Sequence, residues 1–256
     1  MNYGFYQSAA GLISQVNRLQ VTSNNLANSE TVGFKADSIT TAQRLPARIE
    51  TGAPIDAHLM LEALGGGQLS DPTRFDLSQG SLNSTGDQLN MAIDGEAFFL
   101  VGDETGGRHD VKLTRDGRFT RDPEGDLAMA ATGMKVLDAS HRTIPVPLGT
   151  ISVGPDGVVS HEGQELGQIA MMEVDRPDAL RKLGDSLIEH TAAAGKMDIS
   201  ADSTLWQGYL ESSTVKPVLE MAGLVQISRA IEANATLMQA QDLLVGQAIN
   251  TFGKVT

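Results

Sequence analysis

The sequence predicts an α+β protein in which long N- and C-terminal helices pair in a coiled-coil-like bundle, with an antiparallel β domain inserted between them. Two observations at the chain ends predict the helices: apolar residues recur at heptad spacing, and neither proline nor glycine interrupts residues 224–245. A third observation predicts the β domain. Between residues 76 and 200, short apolar runs are separated by Asp-Gly and Pro-Asp-Gly turns.

The N-terminal helix is predicted from about Tyr3 to Leu26. Its apolar residues alternate four and three positions apart, which places them on one stripe that can pack against another helix. The predicted packing seam of this helix consists of Phe5, Leu12, Val16, Leu19 and Leu26.

The C-terminal helix carries a matching stripe. Its predicted seam residues are Leu224, Ile231, Leu237, Met238, Leu244, Val245 and Phe252. Periodicity alone also fits an ordinary contact between two helices inside one globular core. Asn234 and Gln241 fall in the same stripe, and polar residues at such positions favour a coiled coil because they set register and partner number. The two ends can therefore pair with each other, with copies of themselves, or with both.

The first helix is followed by residues that end helices. Asn tolerates the left-handed conformation that closes a helix, and Gly33 permits a positive φ. Three Asn residues within positions 24–28 exceed what a cap needs, so we expect side-chain amides to bond outside the helix.

Four segments follow from these patterns. Residues 1–35 hold the N-terminal helix and the Asn-rich motif, and residues 36–75, with several prolines and a run of three glycines at 65–67, form an extended or loop segment. We expect a short helix near residues 57–64. Residues 76–200 form the antiparallel β domain, and residues 201–256 hold the C-terminal helix.

Charge is distributed unevenly along the chain. The net charge of −13 lies wholly within residues 38–214, because residues 1–37 and 215–256 are each neutral. Neutral ends can associate without repelling one another. A basic face for phosphate is missing, so we expect no nucleic-acid partner. No apolar run approaches the roughly 20 residues that span a bilayer, so we expect no membrane insertion.

Catalytic and metal-binding patterns are also missing from the sequence. The five histidines are scattered, and no nucleophile elbow, zinc-protease motif or phosphate-binding loop occurs. The absence of cysteine excludes disulfides and thiolate metal sites. Asp122, Glu124 and Asp126 suggest a calcium loop, but Gly133 stands where its closing glutamate belongs, so a solvated hairpin turn is our interpretation. We therefore predict no enzyme activity, no cofactor and no metal.

Three motifs resemble signatures of the bacterial flagellar rod and hook axial protein family. At the N-terminus the motif is Asn24-Asn25-Leu26-Ala27-Asn28-x-x-Thr31-x-Gly33-Phe34-Lys35. In the middle it is Ala92-Ile93-Asp94-Gly95-x-x-Phe98-Phe99, followed by Thr114-Arg115-Asp116-Gly117-x-Phe119. At the C-terminus it is Gln207-Gly208-Tyr209-Leu210-Glu211-Ser212-Ser213-Thr214-Val215. The length suits a rod protein, proximal or distal, and is short for a hook protein.

The resemblance implies a structural subunit of the flagellar rod that polymerises through its terminal helices and transmits torque. It also implies an assembly motif, formed by Asn24, Asn25, Ala27, Asn28, Thr31, Gly33, Phe34 and Lys35. The implied partners are copies of the chain, other rod and hook proteins, and the flagellar type III export apparatus.

The implied location is the rod in the periplasmic space. The first residues lack the basic start and apolar core of a cleaved signal peptide, so we expect either a cytoplasmic protein or export by a route that does not read such a signal. An alternative function is a secreted binding or adhesive module with residues 76–175 as its ligand face.

Overall fold

The computed structural model describes residues 3–43, 67–70, 73–102 and 111–252. The short helix expected near residues 57–64 lies outside these residues. The chain divides into two compact units: a helical unit (Met1–Ala27, Asp37–Arg74 and Lys216–Thr256) and a β unit (Asn28–Ala36 and Phe75–Val215). Most of the motif after the first helix therefore belongs to the β unit.

Two long helices dominate the helical unit. Helix α1 spans Tyr3–Ala27, and α2 spans Pro217–Phe252 with a proline at its first position, where a missing N–H costs nothing. The helices run antiparallel, since Gly4 lies against Gln241 while Gly223, near the other end of α2, lies against Thr22. Because α2 has 36 residues and α1 has 25, the C-terminal end of α2 extends past the first residues of α1.

Short strands complete the helical unit. Strands β2 (Thr41–Gln43) and β3 (Gln68–Ser70) pair antiparallel, with Gln43 opposite Gln68. Strand β1 (Asp37–Ser38) lies beside Arg74, the first residue of β4 (Arg74–Phe75), because the Ser38 hydroxyl donates to the Arg74 carbonyl at 3.2 Å.

The predicted coiled-coil-like bundle is wrong. The described residues hold two α-helices, one at each end of the chain, and these form a single antiparallel pair. At two levels of this pair a glycine meets an amide, Gly4 against Gln241 and Gly11 against Asn234, so apolar knobs do not fill holes there. Leu237 and Leu244, predicted in the seam, are 54% and 63% exposed. The alternative of an ordinary contact between two helices describes this pair.

The β unit contains one large antiparallel sheet of nine strands. A central strand, β7 (Phe98–Gly102), pairs with β8 (Lys112–Thr114), β11 (Lys135–Val136) and β15 (Met171–Val174). Beyond these lie β9 (Phe119–Arg121), β10 (Leu127–Met129), β16 (Arg181–Gly184), β17 (Leu187–Glu189) and β18 (Met197–Ile199).

Smaller sheets complete the β unit. Strands β12 (Ile151–Val153), β13 (Val158–His161) and β14 (Gln164–Gln168) form a three-stranded sheet. Two strands near the end of the unit in sequence pair with two near its start: β19 (Thr204–Gln207) with β6 (Met91–Asp94), and β20 (Tyr209–Glu211) with β5 (Leu82–Ser84). Two 3₁₀ turns lie at Pro177–Ala179 and Ala192–Ala194.

Strand β7 is buried on both faces and divides the core into two layers. Phe99 and Val101 face one apolar layer, while Phe98 and Leu100 face the other, as the two-residue period of a strand requires. This explains the uninterrupted apolar run Phe98–Val101 in the sequence. In the described part of the chain, neither helix combines the length and apolar character needed to cross a bilayer.

Candidate functional site

The Asn-rich motif begins at the end of α1, in the helical unit. The buried Asn25 amide donates to the Asp37 carbonyl and accepts from the Asp37 N–H, both at 2.8 Å. Its nitrogen also lies 3.4 Å from Glu220 Oε1. Asn25 thus bonds outside its own helix, and it holds the chain where β1 begins. Asn24 and Ala27 lie on the exposed side of the same turn.

The motif continues as a turn in the β unit. Thr31 bonds to Asn28 twice, from its N–H to the carbonyl and from its hydroxyl to Oδ1, each at 3.2 Å. Gly33 follows with φ +65° and donates its N–H to the Glu211 carbonyl at 2.8 Å. A Cβ on Gly33 would lie 2.4 Å from the carbonyl carbon of Arg115. Glycine is therefore required here by both conformation and close packing.

Phe34 and Lys35 end the motif inside the β unit. The Phe34 ring lies 4.2 Å from Lys182 Nζ, a cation–π contact, and the Phe34 carbonyl accepts from the Thr214 N–H at 3.1 Å. Lys35 is almost fully buried. Its Nζ donates to Glu211 Oε1 at 2.6 Å and to the Ser78 carbonyl at 2.7 Å.

Lys35, Arg115 and Glu211 form what we call the buried charge cluster. Arg115 Nη1 lies 3.3 Å from Glu211 Oε2, so one carboxylate holds two cations. The backbone supplies further bonds: the Gly80 N–H donates to Glu211 Oε1 at 2.9 Å, and Arg115 Nη2 donates to the Gly95 carbonyl at 2.7 Å. These contacts compensate for the removal of three charges from water.

Burial has the largest effect on the pKa of each cation in the cluster. Burial lowers the pKa of Lys35, and the positive charge of Arg115 lowers it further, against the opposing attraction of Glu211. Burial also lowers the pKa of Arg115. The cluster therefore holds its ions through packing and hydrogen bonds in spite of unfavourable solvation.

The buried charge cluster joins all three sequence motifs, since each motif contributes one of its residues. Sequence reasoning placed Lys35 among the site residues but missed Arg115 and Glu211. A signal was present, because both residues fall within the sequence motifs, Arg115 directly after β8 and Glu211 as the last residue of β20. Burial of that charge is a tertiary property, which a single sequence does not show.

The predicted seam residues divide into two groups. The half-buried side chains are those of Leu12, Val16, Leu19, Leu26, Leu224, Ile231 and Met238. The most deeply buried described residue of α2 is Ile227, which was not among the predicted seam residues. Exposed side chains are Phe5, Leu237, Leu244 and Val245. The side chain of Phe252 lies outside the described residues.

The carboxylates of Asp122, Glu124 and Asp126 come close enough together to hold an ion. Lys135 Nζ lies among them, 2.6 Å from Glu124, 2.9 Å from Asp126 and 3.4 Å from Asp122. Hydrogen bonds to Glu124 and Asp126 raise the pKa of Lys135. The lysine thus supplies the positive charge at this turn.

Comparison with known proteins gives three matches to family models along the chain. Residues 5–35 match the flagella basal body rod protein family, residues 92–161 match the D1 domain of flagellar hook protein FlgE/F/G, and residues 207–251 match the C-terminal family of flagellar basal body rod FlgEFG proteins. The three matched regions contain the three residues of the buried charge cluster.

Whole-length relatives agree with these matches. The chain is 32% identical to flagellar basal-body rod protein FlgF of Caulobacter vibrioides, with 100% of both chains covered, and 31% identical to FlgF of Rhizobium meliloti, with 99% of both covered. It is 28% identical to flagellar basal-body rod protein FlgG of Bacillus subtilis, with 96% of this chain and 97% of that protein covered. The chain therefore belongs to the flagellar basal-body rod protein family of FlgF and FlgG.

Proposed function

We propose that this chain, a structural subunit of the flagellar basal-body rod, joins its neighbours through the apolar surface of α2. This proposal rests on the exposure of large apolar side chains of α2. Nine large apolar side chains of α2 are at least 40% exposed, and they are Val218, Leu219, Met221, Val225, Leu237, Leu243, Leu244, Val245 and Ile249. Large apolar side chains exposed in this number along one helix indicate an interaction site.

Burial of this surface by neighbouring subunits supplies the energy of assembly. Each large apolar side chain that is fully removed from water contributes about 1.5–3 kcal/mol. Residues 215–256 are neutral, so close approach of several such helices meets little charge repulsion. Because every subunit repeats the same contacts, a head-to-tail arrangement that does not close extends into a tube that can transmit torque.

The partners of this assembly are copies of the chain and other rod and hook proteins. We place the subunit in the proximal rod, which is supported by its similarity to FlgF proteins over 99–100% of its length. It reaches the periplasmic space through the flagellar type III export apparatus. A chain without cysteine forms no disulfides, which suits passage in an unfolded state.

The rod subunit acts mechanically and has no catalytic activity in this proposal. Lys35 and Glu211, the buried ions that could suggest a reactive site, are bonded to each other and to the backbone. Membership of the rod family favours this function over the alternative of an adhesive module using residues 76–175.

Swimming of a Leu237→Glu variant tests the proposal. Leu237 is exposed and glutamate is a good helix former, so we expect the free energy of unfolding of the monomer to stay within about 0.5 kcal/mol of that of the wild type. Rod assembly and motility in soft agar are expected to be lost, because a charge would enter the interface. Leu148→Glu is the matched control, since Leu148 is 83% exposed in the β unit and motility is expected to persist. Normal swimming of Leu237→Glu would overturn the proposal.

A further inference from the structure

The hairpin formed by β16 and β17 lies at one end of the order of strands in the nine-stranded sheet. Strand β17 pairs with β8 as well as with β16, so the sheet holds the hairpin through β17. Gly184 and Leu187 are paired, and the two residues between them, Asp185 and Ser186, have φ of 51° and 59°. Positive φ at both positions belongs to the type I′ turn, which matches the twist of the strands that it joins. The hairpin is therefore a regular element at the edge of the sheet.

Two side chains of this hairpin contact the end of the Asn-rich motif and the residue after it, which we call the motif segment (residues 32–36). Lys182 Nζ lies 4.2 Å from the centre of the Phe34 ring, and it donates to the carbonyl of residue 35. Ser186 Oγ lies 3.5 Å from the Val32 carbonyl oxygen. One ammonium group therefore binds a ring and a main-chain oxygen of consecutive residues, which fixes the orientation of the segment as well as its position.

Release of the motif segment leaves the buried charge cluster compensated. Glu211 Oε1 accepts from Lys35 Nζ at 2.6 Å, and Glu211 Oε2 lies 3.3 Å from Arg115 Nη1, so the carboxylate keeps one cation when Lys35 departs. The cluster then holds one cation and one anion in place of two cations and one anion. Burial lowers the pKa of Lys35, and its ammonium regains hydration when it returns to water. The segment therefore leaves the β unit without an unpaired charge behind it.

We propose that the β16–β17 hairpin is a strap that holds the motif segment in the β unit, and that Lys182 is the positioning residue that keeps this strap closed. The segment lies close after α1 in the chain, so its release leaves a longer flexible connection between α1 and the β unit. Family-model matches cover the segment up to Lys35, whereas Lys182 lies between the matched regions 92–161 and 207–251. The strap is a property of the folded monomer, so it stands independently of the proposed assembly.

Amide hydrogen exchange of the full chain as a monomer, followed by NMR, tests the strap. The Gly33 N–H donates to the Glu211 carbonyl and the Ala36 N–H donates to Thr214 Oγ1, both at 2.8 Å, so each exchanges when the motif segment is released. Lys182→Met keeps an unbranched side chain and removes the ammonium, and we expect both amides to exchange about tenfold faster. Lys182→Arg keeps a cation that donates and packs on rings, so we expect rates within about twofold of those of the wild type.

Two further variants separate the strap from general stability. Arg181→Met is the matched control, because Arg181 is the neighbouring cation of β16 and bonds to Glu189 of β17 at 2.7 Å, and we expect it to leave the exchange of the two segment amides unchanged. Val101→Ala weakens the core of the β unit, so we expect faster exchange of core amides but not of the segment amides. Unchanged rates in Lys182→Met, rates in Arg181→Met that match it, or equal acceleration of segment and core amides in Val101→Ala would each overturn the proposal.

Discussion

The two units of the chain differ in how much apolar side-chain surface they leave exposed. In the β unit, strand β7 is buried on both faces, and the large apolar side chains that remain exposed are scattered, namely Leu148, Leu183, Ile199 and Trp206. In the helical unit, the single helix α2 exposes nine such side chains along its length. The β unit therefore meets its packing requirements within itself, whereas α2 requires further surface to cover it.

Polar groups extend this comparison. The β unit buries three charges at the buried charge cluster and binds them with three backbone carbonyls and an N–H. The contact between α1 and α2 instead uses glycines and amides, and Gln15 Oε1 and Gln241 Oε1 have no partner within the described parts of the chain. In the proposed function, the β unit packs within itself, whereas neighbouring subunits cover the helices.

The largest expected effect on stability comes from Glu211→Gln in the β unit. The substitution keeps the shape of the side chain but leaves two buried cations without their anion, so we expect the free energy of unfolding to fall by about 3–5 kcal/mol. Urea denaturation of the full chain measures it. The control is Glu189→Gln, whose carboxylate accepts from Arg181 Nε at 2.7 Å in an exposed pair, and a loss of about 0–1 kcal/mol is expected there.

Urea denaturation of a variant in the helical unit tests whether the exposed side chains of α2 contribute to the stability of the monomer. Leu244→Gln changes a side chain that is already exposed, so we expect a stability within about 0.5 kcal/mol of the wild type. A loss for Leu244→Gln as large as that for Glu211→Gln would mean that α2 is covered in the monomer.

A loss smaller than that for Glu211→Gln is expected from Gly33→Ala, which tests whether the motif is part of the packing of the β unit. Alanine at φ +65° is strained, and its Cβ would collide with the Arg115 backbone, so we expect a loss of about 3 kcal/mol. Gly86→Ala is the control, because Gly86 has φ +72° and open space around it, and strain alone costs about 1 kcal/mol. Equal unfolding midpoints for the two variants would show that Gly33 does not pack against Arg115.

Local patterns explain how much of this architecture the sequence could predict. The terminal helices followed from spacing and from the absence of helix breakers between Leu224 and Val245. The hairpins expected at Asp94-Gly95 and Asp116-Gly117 are wrong, because the strands that flank each dipeptide pair with other strands: β6 pairs with β19, and β8 pairs with β7 and β17. The coiled-coil interpretation failed because heptad spacing describes a stripe but not its partner. Glycines 4 and 11 of α1, which set the approach of α2, carry no apolar signal at all.

The candidate site depended still more on tertiary structure. Lys35 and Glu211 are 176 residues apart, and nothing local to either residue shows that both are buried. Resemblance to a family located the motifs, but the contacts between them had to come from the fold.

The last expected effect is a dependence of the unfolding free energy on pH that comes from Lys35. Burial lowers its pKa below 10.5, so between the lowered value and 10.5 the unfolded chain holds a proton that the folded chain has released. Stability contributed by Lys35 therefore rises with pH in that window, with a slope of at most about 1.4 kcal/mol per pH unit. We expect the unfolding free energy of the wild type, measured relative to that of Lys35→Met, to increase as pH rises toward 10.5.

Lys135→Met provides a control of opposite sign. Its carboxylate neighbours raise the pKa of Lys135, so its contribution is fully present below 10.5, and the difference between this variant and the wild type is expected to stay flat over the same range. Urea denaturation in a series of buffers that approaches pH 10.5 gives both differences. A flat difference for Lys35→Met as well would show that the Lys35 ammonium is stabilised by Glu211 as fully as by water, and the charge cluster would then hold its cations without a solvation penalty.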